Sequence, residues 1–424
     1  MGAVLDEDED QDEAVFRNFD ALKAGPGGSE LPAVLVLGGS TFMGRETVQA
    51  LLDLPARVCV VNRGRSYWGT DDPSMGRAAR VVADRRDAEL FAARLDVATE
   101  RLGTRWALVA DFSAYNGADI RAALAGLRSR FDAYAYISSD SVYEVSAWAG
   151  DEWEPRAGDA GSPHVSESAS ARPEDEKTRK RLRNADTYGD GKLKAEEALA
   201  AALAEDAAAG RGVCLRLPDV IGPFDDTLRL WAFWHWLQAG PSHPPQVHEP
   251  ASKRARRSSS GEGKTKPAPE DVPLAVVFSR DVARFVAHLV RTPAPTGVPR
   301  CDAVNLACER QPTLRAFLQV LASSSGLGEP TFAQKSRPKT FLPSVDRPWP
   351  LCCGHMSKAY GFTPTPLEEV LKITADWFKE ACSKFPREAA EAAAKLPCGP
   401  REAALLRACL SAPPSSSSSE SGDS

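Results

Sequence analysis

Three residues of this 424-residue chain could together move a proton and a hydride: Ser139, Tyr188 and Lys192. Tyr188 and Lys192 stand at i and i+4 in Tyr188-Gly189-Asp190-Gly191-Lys192, a spacing that puts both on one face of a helix. A phenol with its ordinary pKa of about 10 is a poor acid or base at neutral pH. A neighbouring ammonium and the positive ring of an oxidised nicotinamide favour the phenolate and lower that pKa. Ser139 closes the apolar run Phe131 to Ser139, and a hydroxyl there can hold a substrate oxygen and stabilise the charge that develops on it. Tyr-x-x-x-Lys is common on its own. The segment also reads as an ordinary surface helix, weakened by its two internal glycines.

Such a trio needs a scaffold that brings it to a cofactor. Val34 to Leu37 is an apolar run typical of a strand buried on both faces, and Val48, Leu51 and Leu52 give the following segment one apolar side. Between them lies Gly38-Gly39-Ser40-Thr41-Phe42-Met43-Gly44, so the stretch reads as strand, phosphate loop, helix. Gly38 and Gly39 allow a sharp turn, Gly44 lets the helix pack close to the strand, and the free N–H groups of the first helical turn face a pyrophosphate. Thr41 replaces the middle glycine of the usual fingerprint. The second strand, Arg57 to Val61, runs into Asn62-Arg63-Gly64-Arg65, and Asn62 follows Gly38 by 24 residues. An acidic residue there would hold the ribose hydroxyls of NAD. Neutral Asn62 with Arg63 and Arg65 suits a 2'-phosphate instead, which favours NADP and leaves NAD as the second choice. The bland alternative is a solvated arginine turn.

Further short apolar runs follow at Arg80 to Asp84, Trp106 to Asp111 and Phe131 to Ser139, separated by helix-like Ala88 to Leu95 and Ile120 to Leu127. This alternation predicts an α/β fold, a doubly wound parallel sheet with ligands beyond the carboxyl ends of its strands. Asp84, Ser113 and Ser139 fall near such ends. Asp84 could accept from an adenine amino group or cap the following helix.

With these residues in view, the chain resembles the extended short-chain dehydrogenase/reductase superfamily, the NAD(P)-dependent epimerase/dehydratase family, over Leu31 to Lys379. The marks are GGSTFMG (Gly38 to Gly44), YISSDSVYE (Tyr136 to Glu144), YGDGK (Tyr188 to Lys192), LRLPDVIGP (Leu215 to Pro223), FSRDVARFV (Phe278 to Val286), AVNLACERQPTL (Ala303 to Leu314) and SKAYGFTPTPLEEVL (Ser357 to Leu371). The resemblance implies a Rossmann domain with a smaller C-terminal α/β substrate domain. It also implies Tyr188 as catalytic acid/base, Lys192 on the nicotinamide ribose, Ser139 positioning the substrate, and Pro218 to Val220 along the nicotinamide face. A homodimer through a four-helix contact is common in that family. Thr41 and the Asn-Arg-Gly after the second strand look like the atypical branch that includes chloroplast stem-loop binding proteins, whose members need not be enzymes; Tyr188 and Lys192 argue for retained catalysis. Sugar-nucleotide 4,6-dehydratases carry an Asp-Glu pair before the Val-Tyr. Asp140 matches the acid and Ser141 stands at the base, so epimerisation or carbonyl reduction ranks above dehydration.

The expected organisation is an acidic disordered stretch over 1–30, a dinucleotide domain over 31–220, a substrate domain over 221–395 interleaved with the last Rossmann elements, and a helical end with a Ser-rich tail over 396–424. Thr227 to Gln238 reads as an aromatic core helix, with His235 its one plausible polar contact to a ligand. Arg280 is a candidate for an anionic substrate group, a nucleotide-sugar diphosphate first, or equally a surface salt bridge; Asp281 is a candidate N-cap. Insertions at about 145–184, ending in basic Lys177 to Arg183, and at about 240–270, holding Lys253 to Arg257, read as mobile surface loops. Their basic runs support a competing reading as an RNA-binding module or a nuclear import signal, although no aromatics are interleaved to stack bases, and a third reading is a scaffold that senses NADP(H) without turnover. The net charge of −6 gives no general attraction to nucleic acid. Nine cysteines without CxxC spacing predict free thiols and no metal site, and the lack of a long apolar run or a signal-like N-terminus predicts a cytoplasmic protein; the enzyme reading predicts a small-molecule substrate.

Overall fold

The computed structural model describes residues 15–22, 31–64, 68, 76–147, 164–248, 273–335, 338–346 and 350–396. In chain order its elements are β1 (Phe16–Arg17), β2 (Ala33–Leu37), α1 (Phe42–Leu52), β3 (Arg57–Asn62), β4 (Ala79–Val82), α2 (Ala88–Leu102), β5 (Leu108–Asp111), α3 (Gly117–Leu127), β6 (Ala133–Ser139), α4 (Glu176–Ala185), α5 (Thr187–Glu205), β7 (Arg211–Leu217) and β8 (Asp219–Ile221). There follow α6 (Arg229–Gln238), β9 (Gln246–His248), β10 (Val276–Phe278), α7 (Ser279–Arg291), β11 (Cys301–Asn305), α8 (Leu314–Ser324), β12 (Ala333–Lys335), α9 (Gly354–Tyr360), α10 (Leu367–Lys384) and α11 (Pro386–Ala394). Contacts divide the chain into two units: residues 1–226, 272–312 and 344–370, and residues 227–271, 313–343 and 371–424.

The first unit is built on an eight-stranded sheet in the order β1-β4-β3-β2-β5-β6-β7-β11, all parallel except β1. Successive side chains of β2 supply opposite cores, because strand residues alternate in direction. Leu35 and Leu37 pack with Phe91, Trp106 and Leu199 on the side of α2, α3 and α5. Val34 and Val36 pack with Val48, Phe285 and Met356 on the side of α1, α7 and α9. Burial on both faces explains why the strands read as unbroken apolar runs. The order reverses between β2 and β5, where two adjacent strands send their connections to opposite faces and leave a crevice at their carboxyl ends.

Three expectations are corrected. Residues 15–22 are not disordered: Phe16 is buried and β1 adds an antiparallel strand beside β4, while the Arg101 guanidinium lies 4.3 Å over the Phe16 ring. The insertion before Tyr188 is not a free loop over 164–184. Val165 is fully buried and bridges to Leu351, and the Asn305 amide donates to the Val165 carbonyl at 3.0 Å, so this segment is held by the sheet's own side chains. Its basic run lies on α4, which buries only Leu182. Asp281 is not the cap of α7, which begins after Phe278; its buried carboxylate accepts from the backbone N–H and hydroxyl of Thr365, each at 2.7 Å. Lys253 to Arg257 lie outside the described residues.

In the second unit α6 is apolar all round, and Leu230 through Leu237 are all buried, as expected of a helix enclosed in a core. Trp231 stacks on Phe378 with ring centroids 5.4 Å apart. Among the described residues no helix is long and apolar enough to cross a membrane.

Candidate functional site

The glycine loop turns as its sequence requires. Gly38 and Gly39 have φ of +109° and +79°, a region that L side chains avoid. A Cβ on Gly44 would lie 2.7 Å from the Gly39 Cα, so only glycine lets α1 start this close to the strand end. Thr41 is the N-cap residue of α1, but its side chain makes no cap hydrogen bond, and the first N–H groups of the helix have no partner within it.

This loop is one wall of a cleft of about 690 Å³ in the first unit. Residues 38–44 line it together with Asn62 at the end of β3 and Arg63 just beyond, Asp84 after β4, and Ser113 and Tyr115 after β5. The sequence-predicted loop, Asn62, Arg63, Asp84 and Ser113 therefore meet in one place, and Arg65 lies outside the described residues. The Asn62 Oδ1 accepts from the Gly64 N–H at 2.8 Å, whereas its buried Nδ2 has no acceptor among the described residues. A buried amide donor without a partner costs about 1–3 kcal/mol, so this atom is suited to an oxygen that a ligand brings. Asp84 does not cap α2; Asp87 does, accepting from the Leu90 N–H at 3.1 Å. The Asp84 carboxylate instead holds the Arg86 guanidinium, whose hydrogen bonds push its pKa down to about 2, with a smaller contribution from Arg63. Ser113 leans on Asp111, its N–H 3.0 Å from Oδ1.

Beside the cleft, at the carboxyl end of β6, lie Ser139, Tyr188 and Lys192. Two glycines that weaken α5 as a helix are what allow it to lie here. A Cβ on Gly189 would collide with the Ser141 carbonyl oxygen, and one on Gly191 would lie 2.6 Å from the Tyr115 carbonyl oxygen. Lys192 is buried, and its ammonium donates to the Ala114 and Ile137 carbonyls, each at 2.9 Å. Its Nζ stands 5.7 Å from the Tyr188 ring centroid. Burial pushes the Lys192 pKa down to about 8, and the carboxylates of Asp111, Glu196 and Asp119 oppose the fall. Tyr188 is 47% exposed, open to a ligand. The Ser139 hydroxyl is occupied locally: it accepts from the Ser141 N–H at 3.2 Å and donates to Asp140 at 3.3 Å, capping a short 3-10 turn.

A charged network holds the floor of this corner. The buried Arg216 guanidinium pairs with Glu196 at 2.6 Å and donates to the Tyr143 hydroxyl at 3.1 Å, and the Ser138 hydroxyl donates to Glu196 at 2.5 Å. Glu196 lies one turn beyond Lys192, so the pair fixes α5 against β6 and β7. Asp111 does the same at the cleft, taking Arg85 at 2.8 Å and the Tyr134 hydroxyl at 2.5 Å. Sequence reasoning missed Asp111, Arg85 and Tyr115. Asp111 ends a predicted strand, which was a usable signal; Arg85 and Tyr115 carried none.

Other predicted residues stand apart. Asp140 is buried, as is Pro218, and Val220 lies on β8 beside β10; none lines the cleft. Arg280 pairs with the largely buried Glu46 of α1 at 3.4 Å. His235 is fully buried in the second unit, and burial holds its pKa down to about 4, so it is a neutral part of an aromatic core.

The sequence matches no protein-family model, and no curated protein matches it. Its fold does match solved structures. UDP-glucose 4-epimerase from Thermotoga maritima, determined with UDP-glucose, superimposes with a TM-score of 0.56 at 16% identity, over 82% of this chain and 99% of that one. The Thermus thermophilus UDP-glucose 4-epimerase in complex with NAD gives 0.54 at 17% identity, over 82% and 99%. The enzyme from Stenotrophomonas maltophila, with bound NAD and formylated UDP-arabinopyranose, gives 0.57 at 16%, over 83% and 99%. The likeness is one of fold: a large, mostly parallel Rossmann-type sheet followed by a C-terminal domain, as in these epimerases.

Proposed function

We propose that this chain is a nicotinamide-dinucleotide-dependent oxidoreductase or epimerase, acting on a hydroxyl or carbonyl carbon of a nucleotide sugar or small carbonyl compound. The observation that carries this reading is the buried Lys192 ammonium under an exposed Tyr188, directly beside the glycine-loop cleft. Two local features support a dinucleotide in that cleft: the Gly39–Gly44 approach, which a Cβ would fill, and the buried Asn62 amide, which has no acceptor among the described residues. The absence of a carboxylate at Asn62 and the presence of Arg63 support NADP over NAD.

In this reading residues 38–44 hold the pyrophosphate against the N-terminus of α1, and Asn62 and Arg63 meet the adenosine ribose and its 2'-phosphate. When bound, the nicotinamide supplies the site that gives or takes a hydride. Tyr188 would move the hydroxyl proton and Lys192 would favour its phenolate, while the one Lys192 N–H not given to the Ala114 and Ile137 carbonyls would be left for the ribose. Ser139 would have to turn from Asp140 to reach a substrate oxygen. Ser141 in place of a carboxylate disfavours dehydration.

The test is a fluorescence titration of the protein with NADPH and, in parallel, NADH. Tight NADPH binding with weaker NADH binding is expected; binding of neither would overturn the reading. A screen of UDP-sugars and small carbonyls with NADPH-loaded protein then addresses the substrate.

A further inference from the structure

The Lys192 ammonium sits among three phenol rings. Tyr115 lies 4.9 Å from it, Tyr136 5.0 Å and Tyr188 5.7 Å, measured to ring centroids. Tyr136 is fully buried and its hydroxyl donates to the Ala114 carbonyl at 3.3 Å, so it forms the back of the cage. Tyr188 is assigned above to proton transfer. That leaves Tyr115, which lines the cleft, is 59% exposed, and lies 6.4 Å from the Tyr188 ring. Its position is fixed from both sides. The Asp119 carboxylate accepts from the Tyr115 N–H at 2.7 Å, and Gly191 provides the only side-chain size on α5 that admits the Tyr115 carbonyl, 2.6 Å from where a Cβ would be.

We infer that Tyr115 is a positioning residue for Lys192: its ring closes the ammonium's site against the water of the cleft and so sets the field that Tyr188 experiences. The inference rests on the proposed role of Tyr188 and Lys192. An ammonium in a dry cage acts on a phenol a few ångströms away far more strongly than one in water, since its field is not screened. The aromatic face also offsets part of the lost hydration. The charged groups that face the ammonium are Asp111 at the end of β5, Asp119 on α3, Glu196 on α5 itself and Arg85 after β4.

The experiment is an NMR titration of full-length protein carrying ¹³C-labelled lysine, with the Lys192 signal identified by its absence in Lys192→Arg. Wild type is expected to titrate near pH 8. In Tyr115→Ala water reaches the ammonium and the midpoint should rise by about one pH unit. A rise of less than about half a unit, or a fall, overturns the inference. Tyr115→Leu, which keeps the shield but removes the aromatic face, should lower the midpoint by about half a unit, and no fall there would also overturn it. Tyr115→Phe retains ring and shield and should restore the wild-type midpoint. Any alkaline limb in the pH profile of turnover should move with these midpoints. If the midpoints move but no dinucleotide binds, the functional reading fails and the role of Tyr115 in shielding Lys192 stands; if turnover occurs and the midpoints stay still, only the inference fails.

Discussion

Lys192 in the first unit and His235 in the second are both basic side chains buried in aromatic surroundings, yet only one keeps its charge at neutral pH. Lys192 has two carbonyl acceptors at 2.9 Å and three carboxylates that favour its charged form, and it holds its proton to about pH 8. His235 stacks on Trp231 at 5.9 Å between centroids, has no carboxylate beside it to favour its charge and only the Ala389 backbone to oppose burial, and its pKa falls to about 4. Burial opposes the charge in both cases. Fixed acceptors decide which survives, and a retained charge inside the protein is what chemistry requires. The first unit therefore keeps a buried cation, and the second carries an imidazole that packs as one more ring of the core.

The contrast is broken most severely at the functional end. Tyr188→Phe leaves the Lys192 charge with nothing to act on and should lower turnover by about 10²- to 10⁴-fold while NADPH affinity is unchanged. Equal activity in the variant, measured under saturating substrate, would remove Tyr188 from the mechanism. Next in size, Glu196→Gln leaves Arg216 buried without its counter-charge and should destabilise the protein by about 3–5 kcal/mol in urea unfolding. A loss under about 1 kcal/mol would mean that the network is not what anchors α5.

His235 sharpens the other side. Its native pKa lies below its unfolded value, so between pH 6.5 and 4 the unfolded chain takes up a proton that the native chain refuses. Stability attributable to this group is therefore present above pH 6.5 and lost as pH falls, by about 3 kcal/mol in all. His235→Phe should cancel that share, which is checked by comparing thermal unfolding of the two proteins at pH 7 and pH 4.5. Lys192, also a base with a lowered pKa, contributes the same sign in a different window: stability rises between about pH 8 and 10.5 as the native ammonium loses its proton first. The smallest effect is expected at Arg63→Ala, which should weaken NADPH about tenfold with little change for NADH. Equal weakening of both would assign Arg63 to the pyrophosphate rather than the 2'-phosphate.

Local pattern was enough to reveal the glycine loop, the strand-end serine, the Tyr-Lys pair and the five core strands from Ala33 to Ser139, because each depends on neighbours within a few residues: apolar runs, positive φ at Gly38 and Gly39, an i to i+4 spacing. It failed where a contact spans the chain. Val165 and Asn305, or Phe16 and Val81, carry no signal of each other, so an ordered insertion and an added strand read as a loop and a tail. Gly189 and Gly191 show the same limit within a motif that was found. By sequence they only weaken a helix, and their use appears when Ser141 and Tyr115 come to lie against them.

The sequence by itself determined the kind of fold and the residues able to do chemistry, since propensity, periodicity and residue type are local properties. Only the tertiary structure decided that Lys192 is buried and Tyr188 exposed, that Arg280 pairs with Glu46, that the Asn62 amide lacks an acceptor among the described residues, and that His235 is neutral. Those are matters of burial and partnership, which depend on what distant segments bring alongside.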